Sequence, residues 1–498
     1  MLNAYKLVSM KYLLLLLLLN VTSFISYSQN FSAQIVAEDD KKAIPYATVK
    51  TNVNTGVISN EEGFFTLIIS DSITSLTISC LGFEQKTIPV DQIKTEHAII
   101  ELKTAINQLD EVIISNKPLN AESIIAKVRE NISSNYKNHL INHGIFSRTT
   151  NYADFKKLDF EIEKASHIKK RNLQSANREL EAMAKEVKEG NIIQFEDFKG
   201  SLYVLNKDST KIEASKATKI LDSKNNFSLD DIQEKSQRIV LKYLDSSKTY
   251  KIKSGFFKLE DSLDLNDDKV QDLQKKEYQL NALNSSTRKT LRRALFYKNS
   301  FIDKLINPKL YDYTLKTTTF NETLTYVIQF TPSKERAKYT GLIYINGDSF
   351  AITQVDYDFY EDRHGKKINF KFLLGLKYIH SISNGTIIFE KNNHNLYQPK
   401  YIKHNYGSYF YANRDVKFIE NSSDRYKVRF SCRLEGDNRF KQEILFTSHS
   451  NLTSEEFQNM KQNKAIEYTQ LDAFDKSFWG NEEILEPLNE MKNFNVNP

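Results

Sequence analysis

Between Phe31 and Ser115 the chain is a succession of short apolar and β-branched runs, each closed by turn-forming residues, and this spacing leaves room for strands and not for packed helices. The runs are Ala33–Val36, Ala47–Val49, Gly56–Ile58, Phe64–Ile69, Leu76–Cys80, Ala98–Leu102 and Val112–Ile114. Leu76, Ile78 and Cys80 alternate with Thr77 and Ser79, the two-residue period of a strand with one buried face, and Gly82 supplies the turn that follows. Seven such strands in close succession predict a sandwich. The abundance of Tyr (26) and Phe (31) against a single Trp extends the β expectation to the rest of the 498 residues. That length exceeds what one hydrophobic core usually serves, so several domains are expected.

Three motifs in this first segment are specific. Pro45-Tyr46-Ala47-Thr48-Val49, Asn60-Glu61-Glu62-Gly63-Phe64-Phe65 and Ser79-Cys80-Leu81-Gly82-Phe83 follow one another in order. Over residues 31–115, under a fifth of the chain, they resemble the carboxypeptidase-like regulatory domain of bacterial envelope proteins, a small transthyretin-like (prealbumin-like) β-sandwich. The resemblance implies a module without chemistry of its own. The residues agree, since Asn60 and Gly63 tolerate tight-turn backbone and release Phe64–Ile69 as a strand. None of the nine histidines is followed by Glu three residues later, so the zinc pair of metallocarboxypeptidases has no counterpart. Leu109-Asp110-Glu111-Val112-Ile113-Ile114 is similar to the segment that joins such a domain to the plug of TonB-dependent receptors. A receptor barrel of about 22 strands needs several hundred residues of alternating strands, which the sequence behind this segment does not offer.

The N-terminus carries Lys6 and Lys11, then Leu13 to Leu19 and an apolar continuation to Ile25, with Ser26 and Ser28 before Gln29. This is the pattern of a signal peptide over residues 1–28. No cysteine lies near the expected cut, and no second run of about 18 apolar residues follows. The expectation is an exported protein of the periplasm or the outer-membrane periphery of a Gram-negative bacterium. Cys80 and Cys432, the only cysteines, exclude a disulfide-dense scaffold and a multi-thiolate zinc site. A buried free thiol is expected at Cys80. The formal charge of +6 is too dilute for a nucleic-acid interface.

Behind the sandwich, assigned to residues 29–115, the chain is expected to divide into four parts. Residues 116–205 hold a docking helix over Ala121–Tyr136, with Ile124, Ile125, Val128 and Ile132 on one face, then the first strands, and a helix over Asn172–Gly190 striped by Leu180, Met183 and Val187. Residues 206–308, polar and Lys-rich, read as a helical insertion with starts at Asp230-Asp231 and Asp267-Asp268. Residues 309–450 read as an antiparallel sheet with strands at Leu324–Phe330, Leu342–Ile345, Phe350–Tyr357, Asn369–Ile379, Thr386–Glu390, Tyr401–Tyr411 and Tyr426–Arg433. Asn346-Gly347 and Asn384-Gly385 mark hairpin turns between them. Residues 451–498 read as an acidic helical tail. A mainly β protein with an α insertion results, its sheet domain similar in shape to the half-open barrels of lipoprotein-sorting proteins.

Chemistry is sparse. His139 and His143, four apart, have helical metal spacing but no third ligand nearby, and two solvated histidines at a helix end are expected. Asp264, Asn266 and Asp268 mimic the start of a calcium loop, yet Lys269 and Lys275 stand where it needs Gly and Glu. Gly347-Asp348-Ser349-Phe350-Ala351 has strands on both sides and reads as a hairpin, not a nucleophile elbow. Asp356, Asp358 and Glu361, with Asp362, form an acidic turn that could furnish paired carboxylates for hydrolysis. Arg288, Lys289, Arg292 and Arg293 make a basic helical face that suits anionic headgroups, with the acidic tail as the expected internal partner. The reading is a non-enzymatic envelope protein without cofactor, acting as a binding or scaffolding module for an envelope protein, glycan or lipid and not for nucleic acid. Its alternatives are a carrier of an apolar or lipid ligand in the half-barrel, or an accessory hydrolytic enzyme using the acidic turn.

Overall fold

The computed structural model describes residues 29–92, 98–105, 119–221, 236–265 and 280–495, apart from single positions within those stretches. The signal segment, Val112–Ile114, the joining segment Leu109–Ile114, Asp230-Asp231 and Asp267-Asp268 lie outside the described residues. The chain forms two compact units that divide after Thr104.

The first unit contains β1 (Gln29–Ala37), β2 (Thr48–Thr51), β3 (Gly56–Ile58), β4 (Phe64–Ile69), β5 (Ser75–Ser79), β6 (Lys86–Pro89) and β7 (Ala98–Leu102). They form two sheets, ordered β4-β1-β7 and β3-β2-β5-β6, with Ile35, Val49, Phe65, Leu76, Ile78 and Leu102 fully buried between them. The lysine-bearing β6 is the one strand here that the apolar pattern did not mark. Each motif has a structural task. Asn60 is buried and its Oδ1 accepts from the amides of Glu62 and Phe64, both at 2.9 Å. Gly63 has φ +77°, and a β-carbon there would stand 2.5 Å from the Ile35 carbonyl, which itself bonds back through the Ile44 amide. Ser59 Oγ accepts from the Ala47 amide and donates to the Ile44 carbonyl. Cys80 is a half-buried thiol outside any disulfide, its Sγ 4.0 Å from the Pro45 carbonyl.

The second unit is one 14-stranded sheet. Its strands are β8 (Ile141–Ala165), β9 (Ile192–Asn206), β10 (Ser209–Leu221), β11 (Thr249–Ser254), β12 (Phe257–Asp264), β13 (Tyr311–Asn321), β14 (Thr323–Pro332), β15 (Tyr339–Asn346), β16 (Ile352–Phe359), β17 (Lys367–Phe370), β18 (Leu376–Lys391), β19 (Tyr397–Glu420), β20 (Lys427–Asn451) and β21 (Thr469–Leu471). The order is β13-β14-β15-β16-β18-β19-β20-β8-β9-β10-β21, with β17 added to β18 and the β11–β12 hairpin to β19. Pairing is antiparallel except between β10 and β21. β8 and β20 have 25 residues each and β19 has 24, which at about 3.3 Å per residue makes each roughly 80 Å long.

The two faces of the sheet carry different chemistry. On one, Ile145, Phe198, Leu202, Val355, Ile387, Ile402, Ile444 and Phe446 pack against helices α1 (Ala121–Glu130) and α2 (Ile132–Asn135). Asn120 caps α1, accepting the Ser123 amide at 2.8 Å, and Ile124, Ile125 and Val128 are buried as the periodicity required. Tyr136 stacks on Phe296 at 3.8 Å between ring centroids and donates to the Ile352 carbonyl at 2.8 Å. Helix α3 (Lys170–Glu189) lies on the outer half of β8 through Ala176, Leu180, Met183, Ala184 and Val187. Helices α4 (Leu280–Leu291) and α5 (Phe301–Leu305) complete the apolar layer.

Several expectations need correction. The supposed helical insertion carries β10, β11 and β12 before α4. In β10, Thr210 and Ile212 alternate with Lys211 and Glu213, and the lysines disguise a strand that pairs with β9 around the Asn206–Asp208 turn. Asn346-Gly347 does turn β15 into β16, but Asn384-Gly385 lies inside β18, paired with His404 and Asn405. Glycine there serves close approach, because a β-carbon at Gly385 would overlap the Lys403 carbonyl oxygen and meet the Tyr357 hydroxyl at 2.7 Å. The strand expected over Asn369–Ile379 is broken by a helical turn, α6 (Lys371–Leu374), which ends at Gly375 with φ +63°. The acidic tail is largely irregular, its described residues forming the strand β21 and the short helices α7 (Ser454–Asn459), α8 (Lys476–Trp479) and α9 (Asn489–Lys492).

Gly63→Ala tests the turn that carries the second motif. Left-handed backbone strain and the clash with Ile35 together predict a loss of about 1–3 kcal/mol, read as a lower urea midpoint for the first unit.

Candidate functional site

The half-exposed end of the apolar face gathers chemistry that the core does not need. Strand pairing sets Tyr357 of β16, Gly385 of β18 and His404 of β19 in one row. With no side chain between them, the Tyr357 hydroxyl reaches His404 Nδ1 at 3.0 Å. One step along, Tyr406 stacks on His380 at 4.1 Å, and its hydroxyl bonds that of Tyr378. Phe359 meets the His380 ring edge-on at 5.2 Å and stacks on Tyr339, while Phe301 packs edge-on against both Tyr339 and Tyr357.

The end of α4 leans over this aromatic floor. Arg293 lies 4.8 Å above the Phe301 ring and 5.5 Å above Tyr357, and the exposed Lys289 lies 5.5 Å above Tyr406. Such contacts hold a cation on a ring face without neutralising it. No ion pair joins Arg293 or Lys289 to a carboxylate among the described residues. Burial, reinforced by the positive charge of Arg293 and Lys289, pushes the His404 imidazole down to about 2, and the same causes lower His380. The site is therefore a positively charged, aromatic-lined patch whose histidines stay neutral.

The basic helical face of the sequence is thus divided in two. Arg288 donates to the Asp208 carbonyl at 2.8 Å and Arg292 pairs with the Asp208 carboxylate at 3.4 Å and donates to the Tyr297 hydroxyl, so this half is engaged by the β9–β10 turn. Only Lys289 and Arg293 face the aromatic patch. The acidic tail meets the other face of the sheet instead. There Arg148 holds Asp197 through contacts of 2.7, 2.9 and 3.2 Å and donates to the Leu485 carbonyl at 3.1 Å. Lys199 pairs with Glu482 at 2.7 Å, and the Tyr152 hydroxyl donates to Glu490 at 2.6 Å. Burial pushes the Asp197 carboxyl up, and the forked guanidinium contact keeps it ionised.

The acidic turn is not assembled as a site. Asp356 sits within β16, accepting from Thr386 at 2.8 Å and Gln354 at 2.9 Å, and burial raises its carboxyl. Asp358 is exposed near the strand end, and Glu361 and Asp362 lie exposed in the turn beyond it. His143 is a correction: it is 2% exposed on β8, its Nδ1 2.7 Å from that of His449, while His139 is exposed and off any helix. Burial holds His143 well below its usual range and His449 down at about 4. Among the described residues no group of three His, Cys, Asp or Glu side chains is placed to hold a metal. Ser349 lies in the β15–β16 turn, bonded to Asn346 at 2.8 Å. A cleft of about 600 Å³ beside β10, lined by Glu213, Lys216, Lys461 and Glu467 among others, is open and largely polar.

Sequence reasoning reached Lys289 and Arg293 but missed His380, His404, Tyr357 and Tyr406, which stand on three strands and share no local spacing. The one available signal was the strand period of Val355, Tyr357 and Phe359.

Removing Asp197 leaves Arg148 buried and unpaired, so Asp197→Ala is expected to cost about 3–5 kcal/mol in urea unfolding. His404 is neutral when folded and titrates near 6.5 when unfolded. The stability it supports is complete above about pH 6.5 and is lost as pH falls toward 2. Between pH 6 and 4, His404→Gln is expected to reduce the slope of unfolding free energy by about 1.4 kcal/mol per pH unit.

No curated protein matches the chain. A solved structure described as a "putative membrane-associated protein of unknown function" from Bacteroides fragilis aligns over 85% of this chain and 98% of that one, at 8% identity and a TM-score of 0.12. Residues 31–114 match the family model of the CarboxypepD_reg-like domain, so the first unit, a β-sandwich with the motifs of that family, is a segment similar to it within a longer, mainly β chain.

Proposed function

We propose that this chain is an exported, non-enzymatic binding protein of the cell envelope, in which the aromatic patch of the sheet unit receives an anionic group of an envelope component. One observation carries the reading: Lys289 and Arg293 are held on aromatic faces, at a half-exposed site, with no carboxylate paired to them among the described residues. A cation so placed keeps its charge available to a phosphate or carboxylate, while the flat rings of Tyr406, His380 and Phe359 offer stacking area. The leucine-rich N-terminal run and the regulatory-like domain support an envelope location. Neutral His380 and the buried, neutral His404 leave the patch without a titration step near pH 7.

Fractionation of the native cell and pull-down from solubilised envelope test the reading together. The wild-type chain is expected in the envelope fraction, retaining a component that a folded Lys289→Ala, Arg293→Ala variant loses and that raised salt releases. A cytoplasmic location, or equal retention by wild type and variant, would overturn it.

A further inference from the structure

The segment around α6 gathers exposed apolar residues more densely than any other stretch of the described residues. From Lys366 to His380 the sequence reads Lys-Lys-Ile-Asn-Phe-Lys-Phe-Leu-Leu-Gly-Leu-Lys-Tyr-Ile-His, with four lysines and no carboxylate. β17 pairs with the start of β18, Phe370 opposite Leu376, and α6 closes the tip. There Phe372 is 104% exposed, Leu373 74%, Phe370 50% and Leu376 38%. Isolated exposed apolar residues are ordinary on a protein surface, but four within seven positions at one tip are not.

The tip is also built rather than frayed. The Gly375 amide bonds the Lys371 carbonyl at 3.1 Å, the Asn413 amide bonds the Gly375 carbonyl at 2.8 Å, and Arg414 donates to the Leu374 carbonyl at 2.7 Å. Arg414 ties the same point to the β11–β12 hairpin through Ser254, at 3.0 and 2.9 Å, and Leu259 of that hairpin is 60% exposed. These bonds at Leu374 and Gly375 lower the cost of bringing the tip toward an apolar medium. Lys366, Lys367 and Lys371 are exposed around it, and Lys371 and Lys377 lie over the rings of Tyr411 and Tyr409 at 4.4 and 5.1 Å.

An apolar, aromatic tip whose own segment carries four lysines and no carboxylate complements one surface above others, the boundary between acyl chains and anionic headgroups. We propose that the β17–α6–β18 tip docks this chain on an anionic lipid bilayer, Phe372 and Leu373 entering the interface while Lys366, Lys367, Lys371 and Lys377 meet lipid phosphates. No helix of the described residues is long and apolar enough to cross a membrane. The tip adjoins the aromatic patch, the His380 amide bonding the Lys366 carbonyl at 2.9 Å, but its contact rests on different side chains and does not depend on the ligand proposed there.

The test is co-sedimentation of the full chain with vesicles of phosphatidylcholine alone or with about one-third phosphatidylglycerol. Binding is expected to the anionic vesicles and to weaken with salt. Phe372→Ser with Leu373→Ser lowers it about tenfold or more, and Gln at Lys367 and Lys371 lowers it about fivefold per lysine. Unchanged thermal unfolding confirms that these exposed substitutions leave the fold intact. Because Trp479 is the only tryptophan and is buried, Phe372→Trp adds an exposed reporter whose emission shifts to the blue on anionic vesicles. The leucine-rich N-terminal run is common to every variant, so binding that the serine pair leaves unchanged overturns the proposal. An unshifted reporter, or a partner protein captured through Phe372 without vesicle binding, overturns it equally.

Discussion

Everything in the larger unit depends on the continuous hydrogen-bonded ladder of β8, β19 and β20. Paired along nearly their whole length, they fix which residues face which side across the sheet, since a slip of one position would exchange the two faces. One face then takes Ile402, Ile444 and Phe446, and the other takes Tyr401, Glu443 and Arg148. Register shifts at Glu435/Gly436 and Phe446/Ser448 bend the ladder without breaking it. The apolar side is closed by α1, α2 and α4. The charged side is closed by the C-terminal segment, bound through Arg148, Lys199 and Tyr152.

This division explains why the candidate patch lies where it does. At the edge of the apolar side, packing ends before the sheet does, and aromatic side chains replace aliphatic ones. Rings cover backbone as aliphatic residues do, yet they also hold Arg293 and Lys289 by their faces. Further out, no element among the described residues covers α6 and the β17–β18 end, and the apolar residues there stay exposed.

Legibility followed the range of the interactions concerned. The β3, β4 and β7 segments were readable because alternation and turn residues act within a few positions. So were α1 and α3, whose stripes obey the helical period. The strand β10 was hidden because its lysines reach past the sheet edge, Lys211 donating to the Met460 carbonyl and pairing over Phe457. Asn384-Gly385 misled for a related reason: the same dipeptide that permits a turn also permits close approach within a strand, and only the neighbouring Tyr357 and Lys403 decide between them.

By itself, then, the sequence determined the β character of the chain, the sandwich over the first unit with its Asn60–Gly63 turn, and the burial of the docking helix, because each rests on backbone preference and local period. The tertiary structure alone decided that His380, His404, Tyr357 and Tyr406 share one patch, that Arg148 and Asp197 meet across β8 and β9, and that Phe372 stands clear of the fold. Those juxtapositions come from strand order and register, which depend on contacts between residues tens to hundreds of positions apart and leave no mark in any local spacing.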